Sequence, residues 1–221
     1  MQRERACHWF RRRDHRDLHR ISSLPVRWKT RLVSVVLHRR LIEPVPVSPL
    51  TSTVKLPAEP IEQEIERLPE ATRRLAAQLV LPLDLDAVWQ VLTDYDHLTR
   101  FIPNLVSSKV LRREGFDVVL EQEGSQRFAG LRFTAKVTLE LRERRADGML
   151  DFRMVSGDFR RFEGSWFLCP DPNNGGVRLR YEVLIQACRG MPIGLIEQRL
   201  KQDLSSNLRA VAAEALRRQQ A

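Results

Sequence analysis

The stretch Ala87-Val88-Trp89-Gln90-Val91-Leu92-Thr93-Asp94-Tyr95-Asp96-His97-Leu98-Thr99-Arg100-Phe101-Ile102-Pro103-Asn104-Leu105 decides how this chain is read. With Leu85 just before it, Val88, Trp89 and Leu92 fall three and four residues apart, which predicts a short helix with one apolar face. Asp84 or Asp86 is placed to cap its start. The helix should end near Asp94, where Asp94-Tyr95-Asp96 supplies a turn and a cap for a second short helix. That second helix carries Leu98, Phe101 and Ile102 on one side, and Pro103 cannot continue it. Two helical turns this apolar need a larger surface to lie on.

The chain that follows supplies such a surface. Leu131, Phe133, Ala135, Val137, Leu139 and Leu141 alternate with Arg132, Thr134, Lys136, Thr138, Glu140 and Arg142, the period of a strand with one apolar face. Before it, Leu105–Leu111 and Phe116–Glu123 are strands bounded by Arg112-Arg113-Glu114-Gly115 and by Gly124-Ser125. After it, Asp147-Gly148 marks a hairpin, and Leu150, Phe152 and Met154 alternate in the next strand. Phe162, Gly164, Trp166 and Leu168 repeat the pattern, Asn173-Asn174-Gly175-Gly176 turns the chain, and Val177, Leu179, Tyr181, Val183 and Ile185 form a last strand. One apolar and one polar face per strand predicts an antiparallel sheet covered on one side.

The cover is predicted at the C-terminus, where Ile193, Ile196, Leu200, Leu204, Leu208, Val211 and Ala215 recur every three or four residues. This long helix should end near Arg217, and Gly190-Met191-Pro192 at its head places a proline where a missing N–H costs nothing. Upstream of the quoted stretch, Leu75–Leu81 is a strand, and Ile61–Leu68 is open between strand and helix.

Charge divides the chain. Residues 1–55 hold 13 Lys or Arg and four acidic residues, whereas residues 56–221 hold 24 of each sign. The net +9 is therefore a property of the N-terminal segment, and a neutral domain argues against nucleic-acid binding by the folded part. Residues 1–20 lack apolar periodicity and should be disordered. Val26–Ile42 is a basic amphipathic segment that fits organelle targeting or membrane-surface contact, although an unstructured extension is the preferred reading. Prolines 44, 46, 49, 57 and 60 then make a stiff linker, so residues 1–60 are expected as extension and 61–221 as the folded domain. No run of eighteen apolar residues predicts a membrane span, and the expected location is cytoplasmic or peripheral to a membrane. Cys7, Cys169 and Cys188 have neither C-x-x-C spacing nor histidine partners, so no metal site is expected.

The element order, with Val88-Trp89, Leu92-Thr93-Asp94-Tyr95-Asp96 and Phe101-Ile102-Pro103, resembles the polyketide cyclase/dehydrase branch of the START-like (SRPBCC) superfamily, near the coenzyme-Q-binding START-like proteins. Gly157-Asp158-Phe159, Phe162-Glu163-Gly164-Ser165-Trp166 and Met191-Pro192 are further matches, and the resemblance spans residues 72–218. It implies an α+β helix-grip fold (START/Bet v 1-like), in which a curved antiparallel sheet wraps a long C-terminal helix, with two short helices after the first strand. It also implies a hydrophobic cavity gated by those helices, and a quinone or other lipid-like ligand bound without a cofactor.

Under that reading Phe133, Phe152, Phe162, Trp166 and Tyr181 line the inner face of the sheet, Ile196 and Leu200 the facing side of the helix, and Phe101 and Pro103 the entrance. The same residues would serve equally as plain core. Gln122 shares the parity of Val118 and Leu120, faces inward, and needs a hydrogen-bond partner from a ligand carbonyl or the backbone. His97 lies beside Asp94 and Asp96, but these read as caps and Asp158 as a turn former, so no catalytic residue is assigned. Two alternatives stand beside the carrier: an aromatase/cyclase using Gln122, His97, Tyr181 or Asp158, and a ribosome-associating interaction protein using its basic tail.

Overall fold

The computed structural model describes residues 61–128, 131–172, 175–188 and 193–220, with side chains at 126–128, 131–133 and 193–196 left aside. The disordered segment, the amphipathic stretch, the linker and the Gly190-Met191-Pro192 helix start predicted above lie outside the described residues.

Strands β1 (Glu62–Leu68) and β2 (Thr72–Leu81) come first, so the two short helices follow the second strand and not the first as expected. Next come helix α1 (Leu85–Leu92), a 3-10 helix (Tyr95–Arg100), and strands β3 (Leu105–Glu114), β4 (Asp117–Phe128), β5 (Leu131–Arg144), β6 (Met149–Gly157), β7 (Arg161–Asp171) and β8 (Gly176–Gln186). Helix α2 (Ile193–Gln219) ends the fold, two residues beyond the expected stop. All eight strands form one antiparallel sheet in the order β1-β2-β8-β7-β6-β5-β4-β3.

This order gives the quoted stretch its position. Because β2 and β3 lie on opposite sides of the sheet, the chain between them must cross the sheet's width, and α1 and the 3-10 helix make that crossing. Val88, Trp89, Val91 and Leu92 of α1, with Tyr95 and Leu98 of the 3-10 helix, are buried in the core. The inner face of the sheet supplies Leu75, Ala77, Leu79 and Leu81 from β2, Val118 and Leu120 from β4, and Val137, Leu139 and Leu141 from β5. Leu204, Leu208, Val211, Ala212 and Ala215 of α2 close over them, and α2 packs on β2, α1 and β8.

The outer face is paired charge. Arg180 reaches Glu64 at 3.1 Å and Glu182 at 2.7 Å, Arg74 reaches Glu66 at 2.6 Å, and Lys136 reaches Glu121 at 3.0 Å. Each exposed pair stabilises little, yet together they keep this face from competing for apolar partners. Three of the exposed large apolar side chains, Val106, Leu111 and Val155, are the extra residues at β-bulges in β3 and β6, where the ladder skips them. A bulge turns its extra residue off the regular alternation.

The start of α2 is tied to the first hairpin by a buried acid. Glu197 is 5% exposed, and Arg67 on β1 and Arg73 on β2 bond its carboxylate at 3.0 and 2.7 Å. These bonds, that of Arg67 foremost, hold its pKa at about 2 against an ordinary 4.5. Glu214, bonded first by Arg217 and then by Arg218, is held at about 2 as well. A carboxyl whose folded pKa is depressed stabilises above its unfolded value, and that contribution is lost as pH falls through the folded one. Thermal melts should therefore be level down to pH 4.5 and drop between there and pH 2, and Glu197→Gln should flatten part of that drop.

Candidate functional site

Five aromatic side chains run in contact across β6, β7 and β8. Trp166 and Tyr181 are register partners whose rings stack 4.0 Å apart and 5° from parallel. Tyr181 lies 6.0 Å from Phe152, Phe152 lies 5.5 Å from Phe162, and Phe162 lies 5.7 Å from Phe159. Strand alternation explains four of them, since Phe152, Phe162, Trp166 and Tyr181 all take the inward parity. Phe159 lies in the bend between β6 and β7 and has no parity to reveal it; only its place in the Gly157-Asp158-Phe159 motif hints at a role.

The ladder closes up because Gly164 sits within it. Gly164 pairs with Phe152 on one side and Val183 on the other, and a Cβ there would lie 2.7 Å from the Phe152 ring. The missing side chain is the space the Phe152 ring occupies.

Of the other expected site residues, Phe101 and Leu200 are half-buried and pack against the core, whereas Pro103 is exposed at the turn after the 3-10 helix. The side chains of Phe133 and Ile196 lie outside the described residues. Gln122 does face inward, but its partner is neither of those expected. Its Nε2 donates to Ser108 Oγ at 3.3 Å, and that hydroxyl donates to the Tyr95 carbonyl at 2.6 Å. The bridge fastens β4 to the 3-10 helix through β3.

The expected caps do other work. No side-chain capping bond forms at Asp84 or Asp94. Asp94 instead joins His97 at 2.6 Å and Arg218 of α2 at 2.7 Å, because the crossing segment runs beneath the end of that helix. Asp96 accepts from the Val110 N–H at 3.0 Å, which satisfies a donor on the free edge of β3. Asp86 pairs with Arg145 at 2.8 Å. Asp158 accepts from the Lys136 N–H at 2.7 Å and so pins its turn to β5.

Sequence reasoning did not find the contact between the crossing segment and the middle of α2. Asn104, held at φ 63°, donates to Asp203 at 3.2 Å. The asparagine itself was the one local signal, since that residue tolerates the left-handed region better than most. Asp203 also bears on Tyr181: burial first, and the Asp203 charge second, push the phenol above its usual pKa. Tyr181 is thus a neutral hydrogen-bond donor on the inner face. Among the described residues no group of His, Cys, Asp and Glu could hold a metal ion, and no helix is long and apolar enough to cross a membrane.

Comparison with known proteins bears on the same region. The family model described as polyketide cyclase / dehydrase and lipid transport matches residues 81–212. A STAR-related lipid transfer protein from Xanthomonas axonopodis superposes with a TM-score of 0.62 at 17% identity, covering 72% of this chain and 96% of that one. The Zhui aromatase/cyclase from Streptomyces sp. R1128 gives 0.57 at 18% identity, covering 66% and 95%. Human StAR-related lipid transfer protein 5 gives 0.57 at 9% identity, covering 72% and 88%. At these identities the likeness is one of fold, and it matches the helix-grip architecture. No curated protein sequence matches the chain.

Proposed function

The chain belongs to the polyketide cyclase/dehydrase and lipid transport family, and from that premise we propose that it binds and carries a hydrophobic, lipid-like small molecule without transforming it. The observation that carries this reading is the ladder of five contacting aromatic rings, four of them on the inner face of the sheet that α2 covers and the fifth in the bend beside it. Such a wall offers a large apolar area with few polar groups, which is the chemistry of a lipid site. A quinone or polyprenyl lipid is the ligand that suits it best.

Cyclase chemistry is the weaker reading, because three of its four candidate groups are engaged elsewhere. His97 is paired with Asp94 and its side chain is 47% exposed, Asp158 holds the β5 backbone, and Gln122 bridges to Ser108. In the carrier reading residues 61–221 hold the ligand in the cytoplasm or at a membrane surface, and the basic segment before them contacts anionic lipid.

The test is native mass spectrometry of the full chain purified from a host that makes quinones, with organic extraction of what travels with it. A retained lipid of defined mass is expected; bare chain alone would sink the reading. Removing residues 1–55 should leave the retained lipid unchanged and weaken binding to vesicles containing phosphatidylserine.

A further inference from the structure

The outer face of the sheet is not open charge throughout. Phe167 stands between Trp166 and Leu168, which both face inward, so strand alternation turns it outward. It is nevertheless 5% exposed, and it lies outside the inner core. Its neighbours on that face are covered too: Ala76 and Asp171 are buried, and the side chain of Arg180, its register partner, is 13% exposed. Farther along the same face the Arg142 and Arg153 side chains are each 68% exposed, as on an open sheet. Helices α1 and α2 lie on the inner face and cover none of this. Inside the domain, residues 129–130, 173–174 and 189–192 are each too few to overlie the middle of β7, which leaves residues 1–60. A second observation points the same way. Cys169, two residues along from Phe167 on the same face, is joined in a disulfide, whereas Cys188 is a free thiol. The sequence holds three cysteines, and the third is Cys7.

We propose that the outer face of β7 and β8 is the docking surface for this chain's own N-terminal segment, with Trp9 and Phe10 laid over Phe167 and Cys7 bonded to Cys169. Cys7-His8-Trp9-Phe10 puts two large aromatic side chains directly beside the cysteine, in a segment otherwise rich in arginine. Those rings and Phe167 shield one another from water on contact, and aromatic burial of this kind dominates interface energetics. Arg11, Arg12 and Arg13 come next, and Glu62, Glu64 and Glu66, every second residue of β1, supply carboxylates on the same face. β7 lies three strand spacings from β1, about 15 Å, which the chain from Phe10 to Ile61 is long enough to span several times over. Forming the bond takes one proton and one electron from each thiol; glutathione disulfide accepts them and leaves as two molecules of glutathione. In a reducing compartment the bond is transient, and the aromatic contact alone holds the segment. The surface lies on the opposite face from the aromatic ladder and does not depend on what that ladder binds.

The experiment takes the full chain, equilibrates it with oxidised glutathione, alkylates it and digests it with trypsin. Peptides Ala6–Arg11 and Phe162–Arg178 should appear in the mass spectrum as one linked species that dithiothreitol separates. The contact itself is tested in mixtures of reduced and oxidised glutathione, which give the effective concentration of Cys7 at Cys169. Trp9→Ser together with Phe10→Ser leaves residues 61–221 untouched and should lower that concentration about ten-fold, near what an aromatic contact is worth. Phe167→Ser should lower it by a similar factor. Cys169 found alkylated, capped by glutathione, or linked to Cys188 or to a second copy of the chain would overturn the pairing. An effective concentration within about two-fold of wild type in the Trp9→Ser, Phe10→Ser variant would overturn the docking surface.

Discussion

Gly164→Ala is expected to destabilise the domain by about 3 kcal/mol, at the upper end of what overpacking a core costs. The added Cβ would lie 2.1 Å from the Glu182 carbonyl oxygen and 2.7 Å from the Phe152 ring, where contacts below 3.0 Å are essentially never seen. Neither neighbour can give way cheaply. Glu182 is on β8, which is paired on both sides by β2 and β7. The Phe152 ring is wedged between Phe162 and Tyr181. Relief therefore requires two strands to shift, and the aromatic ladder opens with them. For a domain of this size the melting midpoint should fall by roughly 6–12 °C in scanning calorimetry. Retained-lipid yield should fall together with it. A midpoint within about 2 °C of wild type would show that the strands adapt freely and that the glycine is not what closes the ladder.

Leu208→Ala should cost a similar amount, about 2–5 kcal/mol, by a different route. Leu208 is 0% exposed, in the run Leu204, Leu208, Val211, Ala212 and Ala215 that α2 turns toward the sheet. Its removal leaves a hole under a helix already fastened at both ends: Glu197 to Arg67 and Arg73 near its start, Arg218 to Asp94 near its finish. A helix pinned in this way cannot settle into the gap, so most of the cavity term should persist. Urea unfolding should show a lower midpoint with an unchanged slope. Arg209→Ala, the exposed neighbour, should stay within about 0.5 kcal/mol of wild type and serves as the control. Equal losses at the two positions would mean that α2 does not use this face.

Much of this architecture can be read along the chain because its signals are local. Twelve residues alternating from Leu131 to Arg142 define a strand and its inward face without reference to anything else, and seven apolar positions from Ile193 to Ala215 do the same for a helix. Parity alone placed Phe152, Phe162, Trp166 and Tyr181 on one wall. Gly115 and Gly148, with φ of 58° and 64°, sit at the turns where the sequence placed them.

What only the tertiary structure decided lies between residues far apart in the chain. No local pattern states that β2 pairs with β8, 104 residues on at the Ala77–Tyr181 pair, or that the crossing segment is consequently drawn across the sheet and under α2. Asp94 and Asp96 look like caps because their neighbours in sequence are helix starts; they serve as ties because Arg218 and the Val110 N–H are brought to them in space. Ring stacking is likewise invisible to periodicity, which records which side a residue faces and nothing of what it meets there. The physical reason is common to all of these. Alternation reflects the geometry of one element against water, whereas pairing, stacking and hydrogen-bond satisfaction depend on distances that exist only once the elements have packed.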